Sequence, residues 1–167
     1  MRRAIAAALA AGAAAGFIAV TAGPVVAEER ACRGSIGART VDNLRVPDGA
    51  SCTLTGTRVK GTIKVEGDAR LVARRVRVVG NVQAEGHRAV TLVNSRVGGS
   101  VQVEQGRAAN VSRNRITGDL QSFANRGVQT FRANRINGNL QCKENARRPA
   151  GGGNIVGGNK EDQCRRL

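Results

Sequence analysis

The chain has 167 residues, with 27 Lys or Arg against 12 Asp or Glu, a formal net charge of +15, and arginine outnumbers lysine 23 to 4. It contains no Trp, no Tyr and three Phe, so the aromatic platforms on which bases or sugar rings stack are missing. That argues against nucleic-acid binding of the usual single-strand kind. A balance this basic predicts attraction to polyanions through a long-range field.

Residues 1–27 read as a secretory signal peptide. Arg2 and Arg3 form a positive start, Ala4 to Ala22 is an uncharged apolar run rich in alanine, and Val25-Val26-Ala27 fits a small-residue cleavage site. The run is too weakly hydrophobic to read as a retained anchor, so no transmembrane span is expected after signal removal. The protein is then secreted, extracellular or associated with the cell envelope. The remaining 140 residues suffice for one domain and carry 25 basic against 12 acidic residues. Residues 28–45 read as an N-terminal capping segment, and 46–167 as a repeat region with its C-terminal cap.

The repeat is set by glycines at 61, 80, 99, 118, 138 and 158, spaced 19 or 20 residues apart. A fixed period of this length is the mark of a solenoid, in which one coil cannot bury its apolar face alone. Two residues before the glycine stand Val59, Val78, Val97, Ile116, Ile136 and Val156. Two residues after it stand Ile63, Val82, Val101, Leu120 and Leu140. Seven before it stand Leu54, Ala73, Leu92, Val111 and Phe131. Period-2 patterns of largely β-branched residues separated by turn residues predict three short strands per coil and no helix. The fold expected is an all-β, single-domain parallel β-helix of about six coils. The glycines are expected to turn corners at positive φ. Asn114, Asn134 and Asn154 are expected at another corner, in the left-handed conformation, with amides stacked in a partial ladder.

Four cysteines in an exported chain suggest two disulfides. Coils rise by ~4.8 Å, which puts the two pairs at ends roughly 20 Å apart, beyond a disulfide's reach. Only Cys32–Cys52 and Cys142–Cys164 satisfy that spacing.

Outward positions also align. Three residues before the glycine lie Arg58, Arg77, Arg96, Arg115 and Arg135, an unbroken column. Guanidinium forks at regular spacing suit a phosphate or carboxylate polymer lying along the solenoid axis, and this column is the candidate anion-binding site. The plainer account is that arginine keeps an exposed sheet soluble. Arg70, Arg88, Arg107, Arg126 and Arg147 on the following loops add to the field. Lys64, Gln83, Gln102, Gln121 and Gln141 form a second outward column. Glu66, Glu85 and Glu104 form a third, expected to pair with the loop arginines rather than to hold Ca²⁺. No metal site and no cofactor are expected.

No catalytic residue is identified. His87 is the only histidine, no nucleophile motif or phosphate loop occurs, and no pair of acids faces across a cleft as glycoside hydrolysis requires. The segments "NRINGNLQCKEN" (134–145) and "GGGNIVGGNKEDQC" (151–164) resemble a set of small exported β-solenoid proteins of unassigned function from high-GC bacteria. The fold that this implies resembles the right-handed, pectate-lyase-like β-helix, without that superfamily's calcium-binding aspartates. The coil length is similar to that of bactofilins. The function expected is non-enzymatic association with acidic envelope polysaccharide or another polyanion through the arginine column, with no specific nucleic acid. The alternatives are a purely structural or self-assembling envelope protein and, behind it, a polysaccharide-modifying enzyme.

Overall fold

The computed structural model describes residues 28–167; the signal peptide read at 1–27 lies outside the described residues. Twenty-two short strands stack into three parallel sheets, with no helix among the described residues. In each turn the chain passes once through sheets A, B and C. A representative turn runs through Ile63–Val65 in sheet A, Arg70–Arg74 in sheet B and Arg77–Val78 in sheet C. Sheet A has eight strands, sheets B and C have seven, and the chain makes about seven turns of a β-solenoid.

That is one turn more than the glycine phase predicts, and the physical reason is local. Residues 28–45, read as a cap, already supply an edge strand to every sheet: Glu29–Ala31, Ser35–Ile36 and Thr40–Val41. In this first turn Asp42 occupies the glycine's place, its carbonyl accepting the Gly61 N–H at 2.8 Å. The segment that covers the second turn is itself a turn.

The core is the narrow interior of the coil. Leu54, Ala73, Leu92, Val111 and Phe131 point inward from sheet B, Ile63, Val82, Val101, Leu120 and Leu140 from sheet A, all fully buried. Val59, Val78, Val97, Ile116 and Ile136 complete it from sheet C, while Val156 in the last turn is only partly covered. Alternate residues face out, so every strand is half core and half surface. Disulfides Cys32–Cys52 and Cys142–Cys164 join each end turn to its neighbour, with Cα–Cα distances of 5.6 and 5.3 Å, and no described cysteine is free.

The corners are built differently from the expectation. None of the six phased glycines takes positive φ. They are there because the coils approach too closely for a side chain: a Cβ on Gly80 would lie 2.8 Å from the Gly61 carbonyl oxygen, and one on Gly99 would overlap the Asn81 amide. At the corner from B to C the non-glycine left-handed residues are instead Arg75, Asn94, Arg113 and Ala133, one before the Val76, Ser95, Asn114 and Asn134 positions, with φ of 52–56°. Asn114 and Asn134 themselves are not left-handed.

Side-chain hydrogen bonds run between turns at all three corners. At the corner from B to C, Asn134 Oδ1 accepts the Asn114 N–H at 3.0 Å and Asn154 Oδ1 accepts the Asn134 N–H at 3.0 Å. Their Nδ2 groups donate to the carbonyls of Leu92, Val111 and Phe131. Ser95 Oγ continues this ladder by accepting the Val76 N–H at 3.1 Å, and Val76 ends it, as a partial ladder must. At the corner from C to A, each residue after the glycine supplies an oxygen to its counterpart one turn on. Asn43, Thr62, Asn81, Ser100, Asp119 and Asn139 accept N–H groups at 2.7–3.2 Å without a gap. At the corner from A to B, Asn125, Asn145 and Gln163 do the same in the later turns. Buried backbone donors that the sheets cannot pair are satisfied this way, and leaving each one unmade would cost about 1–3 kcal/mol.

Candidate functional site

Sheet C positions the arginine column. Its strands are two residues long, one inward and one outward, so the outward residue of every turn falls directly over the last. Arg58 pairs in register with Arg77, Arg77 with Arg96, Arg96 with Arg115 and Arg115 with Arg135. All five are exposed, and the backbone beneath them is rigidly stacked at the ~4.8 Å spacing of paired strands. Thr40 precedes the column and Ile155 follows it, so the charge occupies the middle five turns of the rod.

The surroundings of the column matter more than its length. All twelve acidic residues lie on sheet A or at the two corners that flank it; none lies on sheet B, on sheet C or at the corner between them. Arg39, Arg74, Arg75, Arg113 and Arg132 stand beside the column and add charge of the same sign. Among the described residues no carboxylate lies within ion-pair distance of any of the five column arginines. The cations that pair among the described residues are elsewhere: Arg45 with Glu29 and Glu66 at 3.2 Å, Lys60 with Asp42 at 3.0 Å, Lys64 with Glu29 at 4.0 Å, Arg107 with Asp68 at 3.9 Å and Lys143 with Glu144 at 3.7 Å.

The acidic column is not neutralised as expected. Glu66 pairs with Arg45, a sheet A residue of the preceding turn, rather than with a loop arginine. Glu85 and Glu104 stand in register and form no ion pair among the described residues, and Phe123 occupies the next position, which ends the column at three. Among the described residues, of the loop arginines Arg70, Arg88, Arg107, Arg126 and Arg147 only Arg107 has an acidic partner, Asp68, and that residue is outside the acidic column. The loop arginines belong to the corner that leads into sheet B or to the start of its strands, whereas the glutamates stand at the end of the sheet A strands. The Gln column is a continuous amide chain, Gln83 donating to Gln102, Gln102 to Gln121, Gln121 to Gln141 and Gln141 to Glu161 at 2.8–3.1 Å. No group of three or more His, Cys, Asp or Glu in metal-binding proximity occurs among the described residues.

His87 is not on the surface. Its side chain is fully buried at the corner from A to B, in the same column as Gly106, Asn125 and Asn145. The imidazole packs where a Gly106 Cβ would be, which makes that glycine necessary. Neither ring nitrogen makes a hydrogen bond among the described residues. Burial pushes its pKa below the ordinary value, and the carbonyls of Ala84 and Ala108 oppose that only in part.

Two shallow grooves show how the faces differ. One of about 640 Å³ runs along sheet A, lined by Lys64, Glu66, Gln83, Glu85, Gln102 and Glu104. One of about 360 Å³ lies over the corner from B to C, lined by Asn94, Arg96, Arg113, Arg115, Ala133 and Arg135, without a carboxylate. The sequence reading did not single out Arg113, Asn94 or this groove. Their signal was the residue five before each glycine, which becomes outward-facing only once that corner is known to be left-handed. Comparison with protein-family models, with curated proteins and with solved structures gives no significant match.

Proposed function

We propose that this is an exported, non-enzymatic solenoid that associates with acidic cell-envelope polymers through Arg58, Arg77, Arg96, Arg115 and Arg135. One observation carries the reading: the column stands on a face with no acid on it or at its corner with sheet B, while acids and paired cations gather on sheet A and at its two flanking corners. A protein that used arginine only for solubility would gain from mixed signs on every face. A polymer with repeated anions meets a donor fork at each turn, and each fork offers bidentate geometry without first breaking an internal ion pair. Two disulfides fit an oxidising compartment, and the resemblance to exported solenoids of high-GC bacteria agrees with it.

The test is sedimentation with purified cell wall before and after extraction of its anionic polymers. Binding to intact wall that falls steeply between low and physiological salt, and that disappears with the polymers, is the expected result. Absence of binding to either wall at low salt would overturn the reading and leave a structural role for the rod.

A further inference from the structure

We propose that Arg96, Arg113, Arg115 and Arg135 form a discrete site for phosphate groups carried on a polymer. The inference rests on the anion-binding reading above and assigns its chemistry. Beside the column runs a second row, the corner residue five before each glycine, in which Arg75 and Arg113 are the basic members. Over the middle turns Arg113 borders a groove with the column. Arg113 is held in the left-handed conformation at the corner from B to C, φ 56°, which places it beside the column rather than in it. Its Nε donates to Asn94 Oδ1, the corresponding corner residue one turn below, at 3.0 Å. That bond holds the guanidinium, and its two terminal nitrogens have no partner among the described residues. One turn above, the corner residue is Ala133, whose side chain ends at Cβ and leaves the groove open.

The floor is rigid. Ser95 and Asn114 are buried beneath the groove, the Ser95 N–H donating to Asn114 Oδ1 at 2.8 Å and the Asn114 N–H to Asn134 Oδ1 at 3.0 Å. Four guanidinium groups therefore border one groove from two rows, on a fixed base, with no acid among them.

This arrangement distinguishes anions by shape. A carboxylate has two oxygens in one plane, and a single fork satisfies them. A phosphate group directs its oxygens tetrahedrally and accepts from forks on two sides at once. Among the described residues, only the groove at Arg113 offers that second side on a second-row guanidinium held by a side-chain bond.

The experiment titrates the full folded protein with inorganic tripolyphosphate and with an oligoglutamate of matched charge, by calorimetry at low salt. Tripolyphosphate is expected to bind about tenfold more tightly, the worth of roughly one charge-assisted hydrogen bond. Arg113→Gln erases that preference, and so does Arg113→Lys, which keeps the charge but loses the fork. Arg77→Gln, on the column but outside the groove, weakens both ligands alike and leaves the preference intact. All three changes are at exposed positions, and unchanged melting temperatures verify the fold.

Equal affinity for the two ligands, or a preference that survives Arg113→Gln, overturns the phosphate site while leaving the column reading standing. Binding of neither ligand overturns both. Vesicles of phosphatidylglycerol form a separate arm. Capture that tripolyphosphate cannot displace would place the phosphate on a membrane and overturn the assignment to a polymer.

Discussion

Sheets A and C are stacked from the same turns at the same spacing, yet their outward faces carry opposite chemistry. On sheet A the outward residues are bonded to one another: the Gln83–Gln141 amide chain ends on Glu161, and Glu66 is tied to Arg45. On sheet C the outward residues of the middle five turns are arginines with no acidic partner among the described residues. The backbone does not require this difference, because the strands under both faces are held by the same ladder pattern and the same apolar interior. In a solenoid the outward position is nearly free of folding constraint, so its chemistry can be set by what the face meets. Stability resides in the interior, the corners and the ends, and the faces should be alterable without loss of fold.

The largest expected effect is at an end. Replacing Cys142 and Cys164 with Ser removes a bridge worth about 3 kcal/mol for a loop of this size. Because solenoid stability is local plus nearest-neighbour, hydrogen exchange should show protection lost from residue 138 onward, with the earlier turns kept. Uniform loss across residues 61–140 would contradict that locality.

A corner comes next. Asn134→Ala leaves the Asn114 N–H without its partner, removes the side-chain donor to the Val111 carbonyl, and should cost about 2 kcal/mol in denaturant unfolding. The matching change on a face, Gln121→Ala, breaks a chain of half-exposed amides and should cost less than about 0.5 kcal/mol. Equal costs would mean that the sheet A amide chain shares the structural role assigned here to the corners.

His87 predicts a pH dependence. Its folded pKa lies below its unfolded one, so the stability it contributes is fully present above about pH 6.5. As pH falls from there toward the folded pKa, the unfolded chain binds a proton that the folded chain refuses. Stability should drop by at most about 1.4 kcal/mol per pH unit. His87→Asn, which places an amide in the corner column that Asn125 and Asn145 occupy beyond Gly106, should flatten that slope between pH 7.5 and 5.5. An unchanged slope would move the titration to another group.

The smallest effect tests the faces directly. Replacing Arg77, Arg96 and Arg115 together with Gln should change unfolding stability by no more than about 0.5 kcal/mol, and in the stabilising direction at low salt as like charges are removed. A loss of several kcal/mol would show that the column is structural after all.

Much of this was legible in the sequence, and the exceptions share a cause. The period, the inward columns such as Leu54 to Phe131, both disulfides and the register of Arg58 to Arg135 follow from spacing alone, because stacking turns identical phases into columns. The first turn was hidden because Asp42 stands where later turns have glycine. The role of the glycines was misread because composition cannot tell a positive φ from a close approach; the Gly61 carbonyl next to Gly80 exists only once two turns are stacked. The ladder through Asn43, Thr62, Asn81, Ser100, Asp119 and Asn139 was visible as a short polar residue after each phase position. Its purpose depends on knowing which corner N–H groups the sheets leave unpaired. Arg113 and His87 fall into place for the same reason, one brought out beside the column by a left-handed corner and the other folded into a corner ladder.

The central claim is that position on sheet C, and not charge alone, makes the arginine column a binding face. The direct measurement compares two triple variants of equal charge for salt-dependent binding to the anionic wall polymer. One replaces Arg77, Arg96 and Arg115 with Gln, the other Arg88, Arg107 and Arg126 at the corner from A to B. The account predicts that the column variant loses at least about tenfold more affinity than the corner variant, since only the column offers unpaired forks at each successive turn. Equal losses would contradict it, leaving net charge as the whole of the attraction.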